Sequence, residues 1–288
     1  MRIINKIFCL SLASLMLAFS GCAKEEGSSS KTESKKQSSS VGIENSDASE
    51  ESSLKEQSNA GEYLTRLAEK LKQNEYTMKC TVMNSVYGEE IKLTRVVSGQ
   101  NVYQTQQESN GSYGVISVDG KTYNFDTSAG MYQLTEAEPP LSIAEEVINR
   151  NLPFAEGNAE IDDNGAVTEQ YTFTGDTYIT NITFFFDNKS GDLIKYTLKY
   201  TIEGQDDMTE TRIVDSLSFD ADKSVFDLKF LDSMTDFDGM TEDERVSFCS
   251  DICSKKGITT DDLSKMDISE EDFKKIDFST FLNLIYSI

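Results

Sequence analysis

Dipeptides that favour positive φ recur between runs of alternating apolar and polar residues, and this spacing leaves little choice of topology. Tyr76, Met78, Cys80 and Val82 alternate with Thr77, Lys79 and Thr81, the period of a strand with one buried face. Further strands are expected over Glu90–Ser98, Val102–Glu108, Tyr113–Val118, Lys121–Asp126 and Met131–Leu134. Asn110-Gly111 and Asp119-Gly120 separate members of this series, and two-residue turns of that kind join antiparallel neighbours. A parallel crossover needs about a dozen residues or more, so the series reads as a meander.

Helices frame the strands. Tyr63, Leu64, Leu67, Ala68 and Leu71 repeat at helical spacing, so Glu62 to Asn74 is expected to be helical, with Lys70 and Lys72 near its carboxyl end. Pro139-Pro140 interrupts the strands, and Leu141–Asn149 reads as a second helix with Ile143, Val147 and Ile148 apolar. The strand pattern resumes over Ala166–Thr174, Tyr178–Phe186, Leu193–Ile202 and Thr209–Phe219, with turns at Asn164-Gly165 and Asn188-Lys189-Ser190-Gly191. About ten strands and few helices place the chain in the α+β class, with an antiparallel sheet that is apolar on one face and wet on the other.

Residues 239–288 are a helical segment of a different kind. Thr241-Glu242-Asp243-Glu244 is a capping box opening a helix that ends at Gly257, and Ser269–Asp272 opens another. Phe273, Ile276, Phe278, Phe281, Leu282, Leu284 and Ile285 follow. So many apolar side chains in so short a segment must pack on the main sheet or meet a partner, and packing is the expectation.

The amino terminus is of another composition. Arg2 and Lys6 precede an apolar run from Ile7 to Phe19, short for a span that needs about 20 apolar residues. Small residues Ser20 and Gly21 then precede Cys22. This order resembles the lipobox of bacterial prolipoproteins, with Phe19 where the family usually has Leu. The resemblance implies removal of residues 1–21 as a signal peptide and a diacylglyceryl thioether on Cys22. Two or more acyl chains on one residue give stable anchoring, so the protein is expected at the extracytoplasmic face of a cell membrane. From Ala23 to Ala60 there are twelve serines and no aromatic residue. Residues 22–60 are therefore expected to be a disordered tether of roughly 30–40 Å r.m.s. span.

Composition narrows function mainly by exclusion. The formal charge is −23, and loss of Arg2 and Lys6 with the signal brings it to −25. An acidic surface argues against nucleic acid and against electrostatic docking on anionic lipid. There is no histidine, which removes the commonest general base, the triads that rely on it and most zinc sites. No enzymatic activity is expected, and no catalytic, cofactor-binding or metal-binding residue is assigned. Asp236 and Asp238 touch a calcium-loop pattern, but its first position is Met234 and its twelfth Arg245. Gly120-Lys121-Thr122 ends like a phosphate loop, yet falls in a hairpin. Besides Cys22, three cysteines remain after processing: Cys80, Cys249 and Cys253. They read first as buried free thiols and second as one disulfide with one thiol left over.

The order helix, six-strand meander, helix, long strands and a closing Asp222-Lys223-Ser224-Val225-Phe226-Asp227 resembles the LolA/LppX-like lipoprotein-carrier fold. Local likenesses are Val118-Asp119-Gly120-Lys121-Thr122-Tyr123, Met131-Tyr132 and Gly191-Asp192-Leu193-Ile194-Lys195. The likeness covers roughly Gly61 to Phe230, within a sheet domain taken as residues 61–233 and followed by the helical segment 239–288. It implies a curved, half-barrel-like antiparallel sheet wrapped over a few helices, whose concave face can hold an apolar or lipid-like ligand. The alternative is a protein-interaction or sensor module at the cell envelope, with a filled core and an envelope protein as partner.

Overall fold

The computed structural model describes residues 61–85, 90–108, 111–149, 165–174, 178–202, 204 and 206–286. The signal segment, Cys22, the tether, Pro153 and the Asn halves of the Asn110-Gly111 and Asn164-Gly165 turns lie outside the described residues.

Among the described residues, eleven strands form one open sheet. In chain order they are β1 (Glu75–Asn84), β2 (Glu90–Ser98), β3 (Asn101–Glu108), β4 (Gly111–Val118), β5 (Lys121–Asp126), β6 (Met131–Thr135), β7 (Ala166–Thr174), β8 (Tyr178–Asp187), β9 (Leu193–Ile202), β10 (Met208–Ser218) and β11 (Thr235–Asp236). Across the sheet they run β11-β6-β5-β4-β3-β2-β1-β10-β9-β8-β7. Two meanders, β1–β6 and β7–β10, are thus joined by antiparallel pairing of β1 with β10. The β4–β5 turn is built as the dipeptide demands, with Asp119 at φ 51° and Gly120 at φ 75°. The two-residue β11 adds a parallel edge beside β6, and alternation in so short a piece carries no signal.

Residues directly opposed in a ladder share a face, and one row shows how far that face extends. It runs from Met131 through Asp126, Tyr113, Gln106 and Leu93 to Cys80 and Val214. The first helix, α1 (Glu62–Leu71), buries Leu64, Leu67, Ala68 and Leu71 and packs with Tyr76, Cys80, Phe184, Phe186 and Tyr196. It ends with its apolar pattern at Leu71, three residues before the expected Asn74, which takes a left-handed φ of 55°. The second, α2 (Ile143–Asn149), joins the same core through Ala144 and Val147. Inward residues of β9 change phase after Leu193: a bulge opposite Phe185/Phe186 turns Ile194 outward and brings Tyr196 in.

The carboxy-terminal segment packs on the sheet. Its helices are α3 (Glu242–Lys255), α4 (Thr260–Lys265) and α5 (Phe278–Tyr286), with a 3-10 turn at Glu270–Lys274 where a further helix start was expected. They share a core with Tyr113 and Met131 of the sheet and Ala129 of the β5–β6 turn, on the face that α1 and α2 cover elsewhere. The 3-10 turns Lys223–Phe226 and Leu228–Ser233 cross the opposite face, packing on Ile116 and Phe125. Strand β11 then carries the chain round the β6 edge.

Three capping boxes open the elements of this segment: Thr241 with Glu244, Thr259 with Asp262, and Ser269 with Asp272. Hydrogen bonds from Thr241 hold Glu244 below the usual carboxylate range, and those from Ser269 do the same for Asp272. The Thr259 hydroxyl, with Lys265, brings Asp262 to about 2. Groups whose pKa is lowered by folding stabilise the fold above the unfolded carboxylate value and lose that contribution as pH falls through the folded value. Protection of the Thr259 amide, which donates to Asp262 at 3.1 Å, is therefore expected to fall between about pH 4 and about 2, and that of the Thr241 amide, which donates to Glu244 at 2.9 Å, to fall as pH drops below the usual carboxylate range. Unchanged protection across that window would show that the boxes contribute little.

Candidate functional site

A recess lies between α2 and the sheet. Leu141, Ser142, Ile143, Glu146 and Val147 form its helical wall. Its floor is Met78 of β1, Leu93 and Arg95 of β2, and Gln104 of β3; Tyr196 and Leu198 of β9 and Arg212 of β10 continue it. Phe173 of β7 and Thr180 and Ile182 of β8 close the far side. The volume open to the centre of a water molecule is about 80 Å³, and the atom-free space with the mouth included is about 770 Å³. The smaller figure is about half of the ~150 Å³ cavity that admits a benzene ring. The recess therefore accommodates a slender group, and anything longer must run out through the mouth, where Leu141 is exposed.

The strand period explains this lining. Leu93, Arg95 and Val97 point to one face of β2, so Arg95 is delivered into an otherwise apolar row and is only 2% exposed. Its Nε donates to the Tyr76 hydroxyl at 2.7 Å and its Nη1 to Gln104 Oε1 at 3.0 Å. Glu145 Oε2 stands 3.7 Å from Nη2. That carboxylate also accepts from the Ser142 N–H at 2.7 Å, while the Ser142 hydroxyl accepts from the Glu145 N–H at 3.2 Å. Ser142 and Glu145 thus form the capping box of α2, and Arg95 ties that box to the sheet. Burial raises the Tyr76 pKa, against the opposing pull of Arg95.

Arg212 is the second buried cation. It contacts Glu210 two residues away on the same face of β10, and its Nη1 donates to the Tyr196 hydroxyl at 3.3 Å. Burial works against its charge, but Glu210 and the tyrosines Tyr196 and Tyr200 leave its pKa raised. Burial lifts the Tyr196 hydroxyl to about 12. Both guanidiniums are hydrogen-bonded, as buried ions must be.

A separate network fixes the start of the described fold. Gly61 caps α1 without a side chain, and Glu169 of β7 supplies the missing acceptor. Its Oε1 accepts from the Tyr63 N–H at 2.8 Å and its Oε2 from the Leu64 N–H at 3.0 Å. The Tyr171 hydroxyl donates to Oε2 at 2.8 Å and accepts from the Gly61 N–H at 2.9 Å. A Cβ on Gly61 would lie 2.4 Å from the Glu169 carboxyl carbon, which explains glycine there. Burial, with Glu169 nearby, raises the Tyr171 pKa.

Cys80, Cys249 and Cys253 are buried free thiols, as the first reading expected. Burial pushes them up to about 11, about 12 and about 11 respectively, so they are protonated and unreactive at neutral pH. The residues of the calcium-like pattern are used locally: Asp236 accepts from the Gly239 N–H at 3.3 Å and Asp238 from Gln133 at 2.8 Å. Among the described residues no helix is long and apolar enough to cross a membrane.

Sequence reasoning named none of Arg95, Glu145, Glu169 or Arg212. The signal was present for the first: an arginine in phase with Leu93 and Val97 is an inward-pointing charge. Ser142-x-x-Glu145 was likewise readable as a capping box. No family model matches the chain, and no curated protein matches it.

Proposed function

We propose that this chain is a bacterial lipoprotein, held by lipid on Cys22 at the extracytoplasmic face of a membrane, whose sheet domain binds an apolar or lipid-like ligand. The anchor rests on the order Arg2, Lys6, apolar run, Ser20-Gly21-Cys22. The binding half rests on one observation, the largely apolar recess between α2 and the sheet. Its lining supports a curved, LolA/LppX-like sheet. Gln104 and Phe173 belong to β3 and β7, six strand spacings apart, or about 29 Å if the sheet were flat. A bend of the sheet over the seven-residue helix is the simplest way for one recess to receive both. The β4–β6 part of the same face is filled by the carboxy-terminal helices, which confines a ligand to the α2 side.

Membrane fractionation followed by native mass spectrometry tests both halves. The wild-type chain should sediment with membranes until detergent is added, and Cys22→Ser should be soluble or unprocessed. The soluble variant should carry a non-covalent apolar adduct that is lost on denaturation. A processed Cys22→Ser chain that still sediments in high salt removes the anchor. A wild-type and variant chain free of adduct in every preparation removes the binding reading in favour of a protein-interaction module.

A further inference from the structure

Resting on the binding reading above, we infer that the recess selects neutral amphiphiles and discriminates against anionic ones of the same chain length. Two cations line it, and both are already committed within the protein. The Arg95 side chain is 3% exposed and its partner Glu145 15%; for Arg212 and Glu210 the values are 10% and 13%. Each pair is thus largely withdrawn from water, where charges interact strongly and are weakly screened.

A carboxylate or phosphate entering the recess meets guanidiniums already paired with Glu145 and Glu210, so it gains less from them than from an uncompensated cation unless it displaces one of those partners. Displacing Glu145 also opens the capping box of α2, since the same Oε2 accepts from the Ser142 N–H. Without displacement, the anion shares the recess with the Glu146 carboxylate, which lines it, while Glu145 and Glu210 stand against the two arginines. Burying a charge without a partner is far costlier than burying a hydroxyl that finds one. Gln104, Ser142 and Thr180 offer neutral donors and acceptors along the wall, a match for glycerol or ester oxygens. The net charge of the chain opposes an approaching anion as well.

The test compares dodecanoate with monododecanoylglycerol, which share a hydrocarbon chain and differ in the charge of the head. Binding is measured by titration calorimetry at neutral pH, below the micellar range. The protein is the chain from residue 22 to 288 carrying Cys22→Ser, so that no acyl chain of its own competes. The glycerol ester should bind at least about tenfold more tightly. Glu210→Gln, which leaves Arg212 uncompensated, should shrink or reverse that ratio. Equal affinities, or tighter binding of dodecanoate, overturn the inference while leaving the pocket reading intact. Binding of neither overturns the pocket reading itself. The wild-type comparison decides the matter even where Glu210→Gln fails to fold, and a folded Glu210→Gln with an unchanged ratio would show that the arginine pairs do not set the selectivity.

Discussion

Phe281→Ala is expected to lose about 3–5 kcal/mol of stability, the usual range for an aromatic truncated in a packed core. Phe281 is fully buried, stacked on Phe237 at 5.9 Å and set edge-on to Phe273 at 6.1 Å. The rings of Phe237 and Phe278 stand 5.8 Å apart in the same cluster, so several elements meet there and no single side chain can swing in to fill the space. The cluster includes Tyr113 and Met131 of the sheet. Tyr286 adds a polar tie, donating to Asp126 at 2.7 Å. The loss should therefore appear in urea unfolding as a lower midpoint of one transition. A loss under about 1 kcal/mol would mean that the site relaxes freely. A second transition at low urea would mean that the carboxy-terminal helices melt apart from the sheet. Either result would remove the view of this segment as a fixed filler of the β4–β6 face.

Glu169→Ala should cost about 2–4 kcal/mol, an effect of buried hydrogen bonds to a charged group. Glu169 is 1% exposed and satisfies the Tyr63 and Leu64 N–H groups at the positive end of α1. Truncation leaves those donors and the Tyr171 hydroxyl short of an acceptor. The full sum of three such bonds is not expected, because the variant also sheds the cost of burying a carboxylate. Glu169→Gln keeps the shape and one acceptor oxygen, so it should lose less, about 1 kcal/mol. Unfolding in urea gives the totals, and hydrogen exchange at the Tyr63 and Leu64 amides locates them. Unchanged protection of those amides in Glu169→Ala would show that α1 is held by its apolar face alone.

Much of the local architecture was legible because a strand repeats every two residues and a helix every 3.6. Glu90–Ser98, Lys121–Asp126, Ala166–Thr174 and Leu193–Ile202 coincide with their expected bounds. The capping boxes at Thr241 and Ser269 open elements where they were read, since a cap is made by residues three apart. The box at Thr259 was passed over, and with it α4.

What lay beyond reach was set by residues distant in the chain. Pairing of β1 with β10 joins Thr77 to Ser218, and no local pattern states that partnership. Glu169 and Arg95 stand at inward positions that alternation alone would assign to apolar side chains. The one lies there because it caps a helix about 105 residues earlier in the chain, the other because it meets Glu145 of α2 and the Tyr76 hydroxyl. The amino-acid order by itself therefore determined the longer strands and helices and, bulges apart, which face of each is apolar, but not the short elements α4 and β11. Only the tertiary structure decided which buried charges meet, and where helix and sheet leave space between them, because burial turns an isolated polar side chain into one that must find a partner.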